Sequence, residues 1–356
     1  MTVGKTDPTD EPDLLEQVVV PAFANESVDR VTTLDNAATV KLIAGVLAQD
    51  DCAVLSLNGS QELVIGTDYI RGPKFRLYEL GYLDNYDIGF YLTGANFSDI
   101  AAMGALPIAL LSVIRYPKEM PRGEFEKVIE GIRAGCDRVG AQNIGGDIGS
   151  AERLILSATA IGVVEPGRAL YRGGARAGDI LCVTGCTGIA GAAQRYFYDL
   201  NNDGRRLPGA TEDSLLRSWR QPTALIQHGR ILGQSAVVTS CQDTSDGLKA
   251  AIESLASVSQ VGFLVDEGDV PVAREVRAVA ELRAVPELDI IFGDSVDFQL
   301  IFTISPQGFR LLQDKFAQAD LAFFPIGVAT AEPGIFIRRK DGISHALPGA
   351  PWRHSI

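Results

Sequence analysis

A chain of 356 residues exceeds one ordinary core, and at about 150 residues per domain it predicts two. With 46% hydrophobic and 22% charged residues, the composition excludes wholesale disorder. Lys and Arg number 32 against 45 Asp and Glu, a net charge of −13 with no basic patch to offset it, so no nucleic-acid partner is expected.

Five scattered cysteines (Cys52, Cys136, Cys182, Cys186, Cys241) suit reduced thiols in a cytoplasmic protein better than a disulfide framework. The three histidines are His228, His345 and His354, too few and too late in the chain for a histidine-rich metal site. The same scarcity argues against a His-dependent nucleophile triad.

Residues 1–30 read as an acidic, flexible tail, without the basic start and apolar middle of a signal peptide. Two strands are predicted at 53–57 and 62–67 around the turn Asn58-Gly59-Ser60. A mainly apolar helix follows at 87–105, then a buried strand at 107–115. The apolar run 100–114 is shorter than the ~20 residues of a membrane span, and Pro107 divides it, so no membrane partner is expected. Pro121 opens an amphipathic helix over 121–140 whose face is Phe125, Val128, Ile129, Ile132, Cys136 and Val139. A strand at 154–164 leads to Glu165-Pro166-Gly167, the expected link between domains.

The second half predicts strands at 179–184, 236–241, 261–266, 299–304 and 323–328. Helices are expected at 189–200, 222–232, 246–258 and 306–318, with the polar stretch 201–218 a loop of partial helix. Strands and helices mix in both halves, which makes the class α+β, with mixed sheets flanked by helices.

The candidate chemistry lies in aspartates set against apolar sequence. Asp99 is the only charged residue from Ile88 to Ile114, and a lone carboxylate in such surroundings needs a cation, a helix end or water to satisfy it. Asn96, three residues earlier, shares its helical face. Asp50 and Asp51 precede a strand, Asp68 closes the next after Thr67, and Asp147 follows Gly145-Gly146, where backbone can approach a ligand. Asp243 and Asp246 bracket Thr244-Ser245 between a strand and a helix. Each has a plainer explanation: Ser245 or Asp246 as a helix N-cap, Asp147 as a turn residue, Asp50-Asp51 as a solvated turn. Their recurrence at strand ends in both halves points instead to hard cations such as Mg²⁺, which take oxygen ligands. No Walker-type phosphate loop exists. Gly185, Gly188 and Gly191 could expose N–H groups to phosphate or simply allow tight packing, and Gly173-Gly174 beside Arg172 and Arg176 is equally open.

In order along the chain stand Asp50-Asp51-Cys52-Ala53-Val54-Leu55, Thr67-Asp68, the run ANFSDIAAMGALP from Ala95 to Pro107, and IGGD ending at Asp147. GRALYRGGARAGDILCVTG from Gly167 and DTSDGL from Asp243 follow. Together they resemble the thiamine-monophosphate kinases of the aminoimidazole ribonucleotide synthetase-like superfamily. The resemblance implies an α+β fold of two domains: 31–165, binding ATP and Mg²⁺ and pairing in a homodimer, and 166–345, completing the active-site cleft, with 346–356 a C-terminal tail. It implies ATP as co-substrate at the dimer interface with several Mg²⁺ ions. Asp50, Asp51, Thr67, Asp68, Asp99, Asp147, Asp243 and Asp246 would hold metal, with Asp99, Asp147 and Asp246 catalytic. Asn96, Ser98, Gly145, Gly146, Arg172 and Ser245 would bind nucleotide. The implied reaction passes the γ-phosphoryl of ATP to thiamine monophosphate, a step of thiamine biosynthesis. A phosphate monoester is already ionised near neutral pH, so such an acceptor needs no strong base and an aspartate-only site suffices.

Departures from the family pattern cluster on the acceptor side. Gln49 stands for a usual glycine, Lys74-Phe75 for a histidine-phenylalanine pair, and Ile148-Gly149 for threonines. The late G-G-E-D-Y-E-L motif reads Asp294-Ser295-Val296-Asp297-Phe298-Gln299-Leu300. These leave open a different small acceptor, an amide- or carbonyl-activating synthetase, or a non-catalytic nucleotide-binding subunit.

Overall fold

The computed structural model describes residues 31–34, 38–44, 50–57, 59–70 and 75–350; the expected tail 1–30, Gln49, Asn58, Lys74 and residues 351–356 lie outside them. The first half builds a seven-stranded sheet in the order β1-β2-β3-β4-β7-β5-β6. Its strands are β1 (Val31–Leu34), β2 (Ala38–Ala44), β3 (Ala53–Leu57), β4 (Gln61–Ile70), β5 (Leu106–Tyr116), β6 (Gln142–Ser150) and β7 (Ile155–Val164). All neighbours are antiparallel except β5 and β6, whose parallel pairing requires the crossover helix between them. Among the described residues, the helices of this half are α1 (Arg76–Glu79), α2 (Asn85–Ala102) and α3 (Arg122–Val139).

Helix α2 explains why its sequence is apolar all round. It is enclosed on every side: only one residue of its last four turns, Asp99, keeps partial exposure. Asp84 and Asp87 form a reciprocal capping box at its start. On one side α3 approaches so closely that a Cβ on Gly89 would lie 2.2 Å from the Val128 carbonyl oxygen, and one on Gly131 would lie 2.1 Å from that of Tyr86. On the other side α2 meets the second half, where a Cβ on Gly229 would fall 2.0 Å from the Ala101 carbonyl oxygen.

The second sheet, also seven-stranded, runs β14-β13-β10-β12-β8-β11-β9. It comprises β8 (Ile180–Val183), β9 (Val238–Asp243), β10 (Gly262–Asp266), β11 (Leu300–Ile304), β12 (Phe324–Thr330), β13 (Ile335–Arg338) and β14 (Ser344–Ala346). Around it lie α4 (Ile189–Asp203), α5 (Gly209–Arg220), α6 (Ile226–Ser235), α7 (Leu248–Ser259), α8 (Arg274–Arg283), α9 (Glu287–Ile291) and α10 (Phe309–Gln318). The two mixed sheets with flanking helices are the expected α+β class.

Several stretches differ from the sequence reading. The expected loop at 201–218 is mostly helix: α4 stops at left-handed Gly204, and α5 begins after Pro208. Its anchor is Trp219, fully buried with Nε1 donating to the Ala190 carbonyl at 3.0 Å. The helix expected from Pro222 begins at Ile226, because Pro222 packs against Gly94 of α2. Strands β1, β2 and β6, helices α1, α8 and α9, and strands β13 and β14 had no counterpart in the reading.

Candidate active site

The turn before β3, the middle of α2 and the end of β9 converge. Asp51, Asp99 and Asp243 each place a carboxylate oxygen within 4.8 Å of the others. Asp243 is buried, Asp99 is half-buried, and Asp51, half-buried as a residue, has its side chain enclosed. Gly66 on β4 makes room here: a Cβ on it would lie 2.6 Å from Cys52 Sγ and 3.6 Å from Asp99 Oδ2.

Neighbouring groups hold the three in place. Ser98 Oγ donates to Asp243 Oδ2 at 2.5 Å, and the Ser245 amide donates to Oδ1 at 3.4 Å. The Arg172 amide donates to Asp50 Oδ1 at 2.9 Å, and its guanidinium donates to Asp51 Oδ1 through Nε at 3.0 Å and through Nη2. Arg172 is thus a strut for the Asp50-Asp51 turn. Asn96 ties α2 to β4 by accepting from the Asp68 amide at 3.1 Å while its own amide donates to Leu92 O.

Such a cluster is electrostatically uncomfortable. Burial, then Asp243, Asp51 and Asp68, push the Asp99 carboxyl well above the usual carboxylate range. Burial and Asp51 push Asp243 up to about 7 against the pull of Ser98 and Ser245, and burial pushes Asp50 up to about 6. The other oxygen of Asp51, Oδ2, is enclosed and has no hydrogen-bond partner among the described residues. An all-oxygen, acidic set with one oxygen left unsatisfied fits a hard divalent cation.

The structure divides the expected site residues. Asp50, Asp51, Asn96, Ser98, Asp99, Arg172, Asp243 and Ser245 form this one cluster, with Asp68 near enough to raise Asp99. Asp246 follows Ser245 on the same loop, directly before α7. Thr67 turns to the opposite face of the sheet, its hydroxyl 2.8 Å from that of Thr159. Asp147 lies on β6, the edge strand, exposed and paired with Arg115 Nη2 at 2.6 Å. Gly145 and Gly146 precede it, and at Gly146 the sheet itself demands glycine: with φ 146°, a Cβ would lie 1.7 Å from the Ser112 carbonyl oxygen. Within one chain, Thr67, Gly145, Gly146 and Asp147 therefore stand apart from the carboxylate cluster. Arg115, the partner of Asp147, was missed; a cation at the end of an otherwise apolar strand was the available signal.

The glycine turn before α4 is no phosphate cradle. The amides of Gly188 and Ala190 donate to Asp297 Oδ2 and Oδ1 at 2.5 and 3.0 Å, and that of Gly191 donates to Ser295 Oγ at 2.9 Å. The late motif thus caps a helix from within the protein. Gln299 Oε1 accepts from Thr184 Oγ1 at 3.0 Å, and the Gln299 backbone N–H donates to Thr244 Oγ1 at 3.0 Å, which braces the loop carrying Asp243 and Ser245. Val296 is buried at 2% exposure, so Val296→Glu is expected to lower stability by on the order of 2–5 kcal/mol, read as a drop in the denaturant midpoint.

The AIR synthase related protein family matches in two parts, its N-terminal domain over residues 49–164 and its C-terminal domain over 176–340. The thiamine-monophosphate kinase of Halobacterium salinarum is 32% identical over 282 residues, 77% of this chain and 86% of the relative. That of Methanospirillum hungatei JF-1 is 31% identical over 269 residues, 74% of this chain and 82% of the relative. In fold, the solved structure of AaThiL complexed with AMPPCP and TMP superposes with a TM-score of 0.79 at 22% identity, covering 99% of this chain and 100% of that one. The chain belongs to the thiamine-monophosphate kinase family of AIR synthase related proteins.

Proposed function

We propose that the protein transfers the γ-phosphoryl group of ATP to the phosphate of thiamine monophosphate. The observation that carries this reading is the convergence of Asp51, Asp99 and Asp243 from both halves around an unsatisfied buried oxygen. Those three, with Asp50 and Asp68 beside them, would hold Mg²⁺, which when bound neutralises phosphate charge and orients it. Ser98, Ser245, Asn96 and Arg172 keep the carboxylates in register. In the transfer, an acceptor phosphate oxygen forms a bond to Pγ while the bond from Pγ to the bridging oxygen breaks, and ADP leaves with the electron pair. No base is required, because the acceptor oxygen is already ionised. Alignment and charge neutralisation supply the rate.

A homodimer completes the reading. The sheet face away from α2 carries Leu106, Ile108 and Leu111 at 48%, 41% and 37% exposure, and β6 is exposed along its length. A second copy covering that face would bring its own Thr67, Gly145, Gly146 and Asp147 toward the interface where nucleotide would lie. Leu111→Asp is expected to yield a folded monomer, seen by light scattering, whose turnover falls about tenfold or more. A dimeric Leu111→Asp protein would locate the interface elsewhere. We place the domain boundary near Glu165-Pro166-Gly167, between the two family matches. We also place the protein in the cytoplasm, on its five free thiols; among the described residues no helix is long and apolar enough to cross a membrane.

The test is incubation with ATP, Mg²⁺ and thiamine monophosphate, with the product's mass recorded. Thiamine diphosphate is expected. Since buried Val296 and neutral Gln299 replace acidic residues of the family pattern, other phosphorylated and unphosphorylated acceptors belong in the same panel. Turnover with one of those alone would move the assignment to that acceptor, and ATP binding without turnover would make the chain a nucleotide-binding subunit.

A further inference from the structure

Asp99 stands in the last turn of α2, and that turn carries no cation of its own. The place is unfavourable for a carboxylate, because the last carbonyls of a helix lack partners within it and turn the negative end of the helix dipole outward. Part of the need is met locally: the amides of Met103, Gly104 and Ala105 donate to the carbonyls of Asp99, Ala101 and Ile100. The rest is met from the other half of the molecule. The Leu170 amide donates to the Met103 carbonyl at 3.1 Å, and Arg230 of α6 donates through Nη1 to the Gly104 carbonyl at 2.9 Å.

Arg230 holds a second acceptor at the same time. Its Nη2 donates to Glu165 Oε1 at 2.5 Å, and that oxygen also accepts from Gln234 Nε2 at 3.2 Å. Glu165 opens the link between the halves, so one guanidinium, its side chain only 18% exposed, joins α6, the link and the end of α2. A planar two-pronged donor suits this task, and a lysine ammonium, a point donor, does not. Two glycines one turn apart on α6 bring it close enough. Gly229 touches the Ala101 carbonyl, and a Cβ on Gly233 would lie 3.1 Å from the Arg168 carbonyl oxygen and 3.4 Å from Gly104 Cα.

The consequence is for spacing in the carboxylate cluster. Asp99 comes from the first half and Asp243 from the second, and a cation site tolerates errors of only about 0.5 Å in its ligands. Ser98 and Arg172 pin the cluster from within, and Arg230 acts at the end of the helix that carries Ser98 and Asp99. We propose that Arg230 is a positioning residue for the cation site: it sets how far the end of α2 reaches toward Asp243 and supplies the positive charge which that helix end lacks. The role rests on the reading of the cluster as the Mg²⁺ site of phosphotransfer.

Three variants of the full chain test it. Arg230→Gln removes the charge, Arg230→Lys keeps the charge without the two-pronged reach, and Glu165→Gln leaves the bond to the Gly104 carbonyl while removing the ion pair. Melting in chelator shows that each is folded, calorimetric titration at room temperature gives the Mg²⁺ midpoint without turnover, and ADP release gives kcat. Arg230→Gln is expected to raise the Mg²⁺ midpoint about tenfold or more and to lower kcat about tenfold, with Arg230→Lys between it and the wild type and Glu165→Gln within about threefold of the wild type. A lower melting temperature with an unchanged Mg²⁺ midpoint in Arg230→Gln would make Arg230 a structural residue only and overturn the proposal. If Arg230→Gln does not fold, a wild-type midpoint in Arg230→Lys overturns it instead. A chain that binds Mg²⁺ but transfers no phosphoryl group would end the phosphotransfer reading while the midpoints still decide the role of Arg230; an unaltered chain that binds no Mg²⁺ would end both.

Discussion

Asp99→Asn is expected to be at once a sturdier protein and a nearly inactive enzyme. The carboxylates of Asp51, Asp99 and Asp243 crowd within 4.8 Å, and Asp99 is the one whose charge is most strongly opposed by burial and by its neighbours. An amide of the same shape removes that repulsion, so the metal-free variant should melt above the metal-free wild type, by about 1–2 °C per kcal/mol for a chain this long. It also removes a charged cation ligand. Turnover should fall on the order of 10³-fold, and Mg²⁺ should raise the variant's melting temperature less than it raises the wild type's. Asp243→Asn should gain less stability, because both oxygens of Asp243 accept hydrogen bonds, from Ser98 and Ser245, and an amide nitrogen cannot. Melting curves with chelator and with Mg²⁺, beside an ADP-release assay, separate the effects. An Asp99→Asn protein that melts lower without metal, or that keeps full turnover, would remove Asp99 from a cation site.

The legible parts of the site were those with a local physical cause. A single carboxylate in 27 otherwise uncharged residues needs something to satisfy it, and Asp99 lies within 4.8 Å of two more carboxylates, Asp51 and Asp243, a set that calls for a cation. A helix apolar on every side has to be enclosed on every side, and α2 is, by a sheet and α3 on one flank and by the second half on the other. What escaped the reading depends on contacts distant in sequence. Strand β6 looks like a loop, with its glycines and polar residues, and becomes a strand because β5 supplies its ladder and the Ser112 carbonyl takes the space a side chain at 146 would fill. The glycines at 188 and 191 left an anion site and tight packing equally open; a Cβ on Gly191 would lie 2.4 Å from the Asp294 carbonyl oxygen, and their amides serve Asp297 and Ser295, a hundred residues downstream. The separation of Thr67 from Asp68 was available in principle: adjacent strand residues face opposite ways, so both cannot line one pocket in one chain.

Without metal, stability should fall as pH rises from about 4 to about 7, a reversal of ordinary acid sensitivity in this range. Asp243, held at about 7 in the folded protein, and Asp50, held at about 6, both sit above the unfolded value of 3.8. The folded state therefore binds more protons than the unfolded state between those limits, and the stability present below pH 4 is lost as pH climbs through the folded values. Asp99 adds to the same slope. Burial raises Asp87 and Asp297 as well, while His228, whose pKa burial lowers from 6.5, acts the other way near the top of the window, as one group against five. Glu165, lowered to about 2 by Arg230, acts below it. Mg²⁺ requires the ionised carboxylates, so its stabilising increment should be small at pH 5 and large at pH 8, which brings the two metal-free and metal-bound curves together at low pH and apart at high pH. Melting temperatures across pH 4.5–8.5, with chelator and with Mg²⁺, give both curves directly. Metal-free stability that rises through this range, or a Mg²⁺ increment independent of pH, would mean that the three carboxylates are not crowded as the structure places them.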